Sequence, residues 1–423
     1  MPERRWDRST IALLLAVLAS SAGAMGQATV LGKLVYDLTR RELDLGFIGL
    51  AEFAPAAALV FVTGAVADRR DRRRVASAAA VGEAAACLLL AWYVSTEPTA
   101  VGPVFLLVAV LGTTRAFAAP ASRSLPADIA GPERLPWLVA RYAGTWQLAL
   151  VAGPVAAGVL YTIDPVLPFT AAAGMFLVAA VCYSLIRVPA PVGAPPLVEA
   201  AVEPVIGHAA MAPEQEAGLS EAFEGLRFIR GHPVLLGAIA LDLFAVLFGG
   251  AVALLPAIAD DRLGVGAVGL GWLRAAGGIG AAAMTLLLAI RPVRRRVGRT
   301  LLVAVAVFGA ATVVLGVTRS FAVAFVMLLV LSGADAVSVF IRATLVPLIT
   351  PREKRGRVLA VENVFIGASN ELGAFESGVA GQLLGPAGAV VLGGAATMAI
   401  AGGWWFLFPA LRDVDGFPSE PAQ

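Results

Sequence analysis

Several ionisable side chains of this 423-residue chain fall inside long apolar segments, where a charge is costly. Insertion scales put that cost at about 2.5–3.5 kcal/mol per charge, so such residues usually serve a function. A carboxylate in such a place can take up a proton on one side of a membrane and release it on the other. The residues are Glu52, Glu83, Arg115, Arg141, Asp242, Arg274, Asp335, Arg342, Glu362 and Glu371.

Four of these residues are proton-coupling candidates by their position alone. Asp242 lies among Leu and Phe, a third of the way into its apolar segment. Asp335 and Arg342 are seven residues apart, so one helical face carries both, either as part of a proton route or as a static buried pair. Glu371 lies in the most polar of the apolar segments, where it flanks a stripe of polar residues.

A row of polar residues at seven-residue spacing marks that same segment. Such a stripe lines a cavity or a helix–helix interface rich in hydrogen bonds. Its members are Glu362, Asn363, Ser369, Asn370, Glu376 and Ser377. Gln27 in the first apolar segment, with Trp146 and Gln147 further along, offers amide groups and an aromatic wall. The substrate-cavity candidates are therefore Gln27, Trp146, Gln147, Asn363, Ser369 and Asn370.

The segments that position these residues predict a membrane protein. Hydrophobic residues make up 59% of the chain, charged residues only 15%, and the mean hydropathy is +0.82. About twenty apolar residues cross a bilayer core of roughly 30 Å as a helix. We predict twelve spans: 10–32, 46–67, 75–94, 102–124, 135–161, 166–187, 233–257, 266–290, 300–317, 321–346, 357–383 and 388–408.

The distribution of positive charge fixes an orientation for these twelve spans. With both termini in the cytoplasm, most of the 32 basic residues fall in cytoplasmic loops, as the positive-inside rule requires. Only five lie on the outer side of the membrane: Lys33, Arg40, Arg41, Arg262 and Arg319. A different number of spans would destroy this asymmetry. We expect a multi-pass protein of a bacterial cell (inner) membrane.

The two halves of the chain repeat each other. A basic loop follows span 2 (68–74) and another follows span 8 (291–299), six spans later. We expect a six-helix bundle over 1–188, a cytoplasmic linker with an amphipathic helix over 189–232, a second bundle over 233–410 and a cytoplasmic tail over 411–423. Repeats of this kind place a transport site between the halves, near the bilayer midplane.

Enzyme chemistry is not expected. Cys87 and Cys182 lie inside apolar segments, and His208 and His232 lie in one polar loop. These residues provide neither a metal site nor a nucleophile with its base. The chain also lacks a phosphate-binding loop, which excludes ATP as the energy source. We expect no metal, no cofactor and no nucleic acid; the expected partners of this monomer are the lipid bilayer, protons and a small-molecule substrate.

The loop after span 2 has a specific order of residues, with Gly64, then Asp68 and Arg69, then a basic cluster. It resembles the signature loop between helices 2 and 3 of the major facilitator superfamily. The resemblance implies that Asp68 caps the start of helix 11 and latches the halves with nearby arginines; alternatively, the arginines only set the topology. The latch candidates are Gly64, Asp68, Arg69, Arg72 and Arg73. Asp71 replaces the glycine usual in the family's pattern.

Two further motifs extend the resemblance. Gly153, Pro154 and Gly158 resemble the hinge in helix 5 of the superfamily's exporters, with ordinary small-residue packing as the alternative. Arg115 resembles the helix-4 arginine of proton-coupled members, which adds it to the coupling candidates. The family's fold is all-α, with twelve transmembrane helices in two pseudo-symmetric six-helix bundles.

Blocks such as 64–75, 115–125, 224–233, 241–244 and 355–373 are similar to the bacterial branch that includes the enterobactin exporter. This similarity implies proton-driven export of a small amphipathic molecule, siderophore- or drug-like, by alternating access. The alternative is an importer or facilitator of a small metabolite on the same fold.

Overall fold

A computed structural model describes residues 6–188 and 219–418, with the backbone alone at 60–62, 64–65, 67–69 and 219–222. These residues form helices, turns and loops, and none of them lies in a β-strand. The helices are α1 Arg8–Thr39, α2 Glu42–Arg69, α3 Arg72–Ser95, α4 Gly102–Ile129, α5 Leu135–Ile163, α6 Leu167–Leu185, α7 Leu219–Gly231, α8 Pro233–Phe248, α9 Gly266–Ile290, α10 Val297–Val317, α11 Phe321–Ile349, α12 Arg352–Leu407 and α13 Pro409–Arg412.

The long helices follow from the apolar runs, because a backbone in hydrocarbon must satisfy its own hydrogen bonds. Within the described ranges, ten helices are long and apolar enough to cross a membrane. The longest, α12, contains a backbone break at Gly385 (φ 75°, ψ 158°), followed by Pro386. Only glycine adopts that conformation readily. The break falls between predicted spans 11 and 12, and every other predicted span except span 7 coincides with one helical segment. The prediction of an all-α membrane protein is confirmed.

The described residues form two compact units. The first contains 6–39, 51–188 and 270–275, and the second contains 40–50, 219–269 and 276–418. A buried core in the first unit joins α1, α3, α4, α5 and α6 around residues such as Leu13, Leu125 and Leu138. In the second unit, α8, α10, α11 and α12 pack around Leu241, Leu301 and other aliphatic side chains.

Glycines allow close helix contacts in both units. A side chain at Gly153 of α5 would lie 2.5 Å from the carbonyl oxygen of Ala22 in α1, and one at Gly26 would lie 2.9 Å from the carbonyl of Gly153. Gly309 of α10 and Gly394 of α12 make a similar mutual contact in the second unit. In lipid no hydrophobic effect drives helices together. Small residues at such crossings let the backbones approach closely, and the resulting van der Waals contacts stabilise the packing.

The first helix is longer than the predicted span 10–32. It continues to Thr39, so Lys33 is a buried helix residue, and the predicted end of the span at residue 32 is too early. Lys33 forms an ion pair with Asp37 one turn later, and the Tyr161 hydroxyl donates to Asp37 over 2.9 Å. The ion pair satisfies the charge, so the helix does not have to end before Lys33.

Predicted span 7 is interrupted. Helix α8 ends at Phe248, and after Gly249 and Gly250 the chain continues as a 3₁₀ helix (Ala251–Leu254), a short helical turn and a π-helix (Ile258–Arg262). The Gly249 amide bonds to Val246 instead of Ala245, and the Thr397 hydroxyl donates to the freed Ala245 carbonyl over 3.3 Å. Consecutive glycines are poor helix formers, and a partner side chain accommodates the break.

Helix α7 occupies most of the stretch for which the sequence predicts an amphipathic helix, while 216–218 lie outside the described residues. Its carboxylate Glu224 accepts from Arg357 of α12 over 2.7 Å. Ile229 is buried among residues of α8, α11 and α12, whereas Phe223 is 67% exposed. One face of α7 therefore packs on the other helices of the second unit, while the apolar side chain of Phe223 remains exposed.

Candidate functional site

An arginine on α4 collects polar groups from three other helices of the first unit. The Arg115 guanidinium donates from Nη1 to Glu52 of α2, from Nε to Glu83 of α3 (3.4 Å) and from Nη2 to Gln27 of α1 (2.6 Å). We call these four residues the Arg115 centre. Gln27 and Glu83 are buried, while Arg115 and Glu52 keep part of their surface accessible.

Small residues bring these helices close enough for the contacts. Gly112 lies one turn before Arg115, and a side chain there would collide with the carbonyl oxygen of Glu52. The absence of a side chain thus lets α2 approach α4 at the height of the ion pair. Gly82, beside Glu83, has the same function against the methyl group of Thr114.

The Arg115 centre contains two carboxylates and one guanidinium. If both acids are ionised, the centre has one excess negative charge in surroundings that penalise charge strongly. A proton shared by the two acids removes that excess, because like charges at one site disfavour joint ionisation. The centre can therefore bind and release a proton.

A second arginine centre lies in the second unit. Arg342 of α11 forms ion pairs with Asp242 of α8 (2.8 Å) and with Glu362 of α12 (3.2 Å). These three residues are the Arg342 centre, and all three are buried. Asp335, two turns earlier on α11, adds a further negative charge that acts on Arg342. The structure thus pairs Arg342 with Asp242 and Glu362, whereas the sequence suggested a pair with Asp335.

The polar stripe of predicted span 11 avoids the exposed surface. Ser369 is buried, and Asn363 and Asn370 are half-buried. The Ser369 hydroxyl and the Asn370 amide both donate to the Ile366 carbonyl of their own helix, over 3.1 and 2.9 Å. Glu371 lies against α2, where a side chain at Gly49 would be 2.5 Å from its carboxylate.

The remaining cavity and hinge candidates lie on α5. Trp146 packs against the core of the first unit, and Gln147 is half-buried. Helix α5 continues through Pro154 without a break, and Gly153 and Gly158 are buried. Of the cavity candidates, the structure places only Gln27 in the Arg115 centre.

Of the latch candidates, Gly64, Asp68 and Arg69 are described by their backbone alone. Arg72 forms an ion pair with Asp128 of α4 over 2.9 Å, and Arg73 binds Asp71 (2.6 Å) and the Ile186 carbonyl (2.7 Å). All these partners belong to the first unit, where they hold together the adjoining ends of α3, α4 and α6.

Asp71 has a clear local function where the family's pattern has glycine. Its carboxylate accepts from the Arg73 amide and caps the first turn of α3. The hydrogen bond from the Arg73 side chain holds the pKa of Asp71 below its usual value. At Asp128, burial outweighs the attraction of Arg72 and raises the pKa.

Sequence reasoning noted Glu52, Glu83 and Glu362 as buried charges but did not choose them for coupling. One usable signal was position along the membrane normal. An arginine in the middle of a span needs carboxylates at the same depth on neighbouring helices. Within the described part of the chain, no cluster of three or more His, Cys, Asp or Glu side chains is arranged to hold a metal ion.

Comparisons with known proteins agree with this architecture. The sequence profile of the Major Facilitator Superfamily matches residues 13–374. No functionally curated protein matches the sequence. Three similar solved structures are all transporters, and at under 25% identity their likeness shows the fold alone.

A bacterial homologue of the human lysosomal transporter Spinster shares 16% identity at a TM-score of 0.71, covering 98% of each chain. The human organic anion transporter MFSD10 shares 17% identity at a TM-score of 0.60, covering 96% of this chain and all of that one. A bacterial homologue of the iron transporter ferroportin shares 15% identity at a TM-score of 0.65, covering 96% and 99% of the two chains.

Proposed function

Since the chain belongs to the major facilitator superfamily, we propose that it is a secondary active transporter that exports a small amphipathic molecule in exchange for protons. The transporter works by alternating access in a bacterial inner membrane, with both termini in the cytoplasm and as a monomer. Residues 1–188 and 233–410 form its two bundles, joined by 189–232 and followed by the tail 411–423. The blocks similar to the enterobactin exporter branch support a siderophore- or drug-like substrate.

The Arg115 centre is the observation that carries this proposal. Proton binding neutralises one of two carboxylates and weakens its attraction to Arg115. Four helices contribute one side chain each, so a change in this ion pair alters the packing of α1, α2, α3 and α4 together. A protonation step is thereby linked to helix movement, which is what a proton-driven transporter requires.

The other coupling and cavity candidates have secondary functions in this proposal, and the buried Arg342 centre is the structural counterpart of the Arg115 centre. Asp242 and Arg342, with Asp335 nearby, form the corresponding centre in the second unit, and Glu371 lies next to α2. Gln27 is the cavity residue closest to the proton chemistry, because it bonds Arg115 directly. A substrate group that competes for Gln27 would disturb the proton site.

Transport in reconstituted vesicles tests the proposal. The full-length protein is reconstituted with the pH dye pyranine inside, and a catecholate siderophore is added outside. Exchange for protons makes the lumen more alkaline whichever way the protein is inserted. We expect this signal from wild type and from Glu133→Gln, an exposed control, and its loss in Glu83→Gln.

The alternative functions give different signals in the same vesicles. A proton-coupled importer makes the lumen more acidic, and a facilitator takes up substrate without any pH change. Either result with the wild-type protein, against protein-free vesicles, would overturn export by proton exchange. An unchanged signal in Glu83→Gln would remove the Arg115 centre from the mechanism.

A further inference from the structure

Arg274 of α9 lacks the ion-pair partners that Arg115 and Arg342 have. Among the described residues it forms no ion pair, hydrogen bond or aromatic contact, and its Nε atom is buried without an acceptor. Part of the side chain nevertheless remains accessible.

The other three arginines that the sequence places well inside predicted spans show how the chain treats such a charge. Arg115 and Arg342 each bind two carboxylates. Arg141 is exposed and stacks on Trp137, with its guanidinium carbon 4.2 Å from the ring centre. A charge buried without a partner is costly, so one that persists in a spanning helix indicates a ligand.

The neighbours of Arg274 place it beside the glycine–proline region of α5. Gly271 lies one turn earlier on α9, and a side chain there would be 2.5 Å from the carbonyl oxygen of Pro154. Residues three apart share a helix face, so Arg274 lies on the face that packs against α5. Leu270 and Leu273, next to it on α9, are fully buried, so this part of the helix is apolar apart from Arg274.

Guanidinium groups in such surroundings select a particular ligand chemistry. Two parallel N–H bonds fit the two oxygens of a carboxylate or a phosphate, and both bonds are strengthened by the charge. We propose that Arg274 binds the acid group of the transported molecule, whose substrates are therefore organic anions. This inference rests on the proposed transport function and adds the chemical class of its substrate.

Ligand binding to the purified full-length protein tests this without any proton gradient. The probes are benzoate and phenyl phosphate, with benzamide as the neutral analogue, and the measurement is the thermal unfolding midpoint. We expect both anions to raise the midpoint of wild type and benzamide to have no effect. Arg274→Gln should weaken anion binding by roughly ten- to a hundredfold, and Arg274→Lys should weaken it less.

Two controls keep the test decisive. Arg141→Gln removes another arginine of a predicted span and should respond to the anions like wild type. Without ligand, Arg274→Gln should unfold at the same or a higher temperature, because it removes an uncompensated charge. Equal anion responses in Arg274→Gln and wild type, an equal response to benzamide, or no response of wild type would overturn the inference.

Failure of this inference and failure of the proposed function are distinguishable. Lost anion binding with an intact pyranine signal would leave proton-coupled transport standing and reject the acid-group contact. Anion binding that depends on Arg274, in a protein that moves no protons, would support the contact and reject the coupling.

Discussion

The two arginine centres lie on corresponding helices in the two halves of the chain but differ in accessibility. Arg115 and Arg342 lie on predicted spans 4 and 10, and each binds two carboxylates. In the Arg115 centre, the arginine and Glu52 side chains are 21% and 31% exposed. In the Arg342 centre, none of the three side chains is more than 8% exposed.

This difference separates an exchange site from a structural site. A proton must reach its carboxylate from water, and the partly accessible Arg115 centre allows that. A fully buried ion pair repays its desolvation only while all partners remain. The comparison therefore predicts that damage to the Arg342 centre mainly affects stability, and damage to the Arg115 centre mainly affects coupling.

The largest expected effect is that of Arg342→Gln. The substitution leaves Asp242 and Glu362 buried without a cation, which costs about 3–5 kcal/mol of unfolding free energy. Arg115→Gln should cost less, because water reaches that centre. The measurement is denaturant unfolding of the purified proteins. A triple variant, Asp242→Asn, Arg342→Gln and Glu362→Gln, should regain most of the loss. Equal costs for the two single variants would contradict the comparison.

Next in size is the effect of Gly112→Ala. The new methyl group collides with the Glu52 carbonyl, and such overpacking costs about 1–3 kcal/mol. It also separates α4 from α2, so the pyranine signal should fall together with stability. Gly102→Ala is the matched control at the start of the same helix, where nothing lies within 4 Å. Full stability and coupling in the Gly112→Ala protein would show that the close approach is unimportant.

A smaller stability effect but a complete loss of coupling is expected for Glu83→Gln. Its carboxylate is one of two that share Arg115, so its neutralisation leaves a balanced pair with Glu52, and the unfolding free energy should fall less than in Arg342→Gln. Transport driven by a pH gradient should stop while substrate counterflow continues. A large stability loss in Glu83→Gln would show that the Arg115 centre, like the Arg342 centre, mainly stabilises the fold.

The sequence predicted the helices well because each depends on a local property. A run of about twenty apolar residues forms a helix in lipid whatever its neighbours are. The exceptions also had local causes: Lys33 was assigned to a loop although Asp37 lies one turn away, and Gly249-Gly250 marked the interruption of span 7. Both signals were present in the sequence and were outweighed by simple hydropathy.

The contacts of the candidate site were harder to predict. Burial cost identified Arg115, Arg274 and Arg342 as unusual from the sequence, but their partners lie on other helices. Whether an arginine meets Glu52 and Glu83, or nothing, depends on how closely the helices approach one another. That distance is set by glycines such as Gly112, which apolar periodicity does not reveal.

The smallest effect is expected at an ion pair outside the spans, which provides a baseline for both centres. Asp7 accepts from Arg134 over 2.9 Å and from the Thr10 amide, and these bonds lower its pKa from 3.8 to about 2. A lowered pKa means that the stabilisation is complete above pH 4 and is lost as the pH falls towards 2. Because Asp7 is 43% exposed, screening limits the contribution to less than about 1 kcal/mol. Wild type should therefore lose slightly more stability between pH 4 and pH 2 than Asp7→Asn. If the unfolding free energies of the two proteins changed in parallel with pH, the Asp7–Arg134 pair would contribute no stability. The baseline for the effects at Arg115 and Arg342 would then be zero.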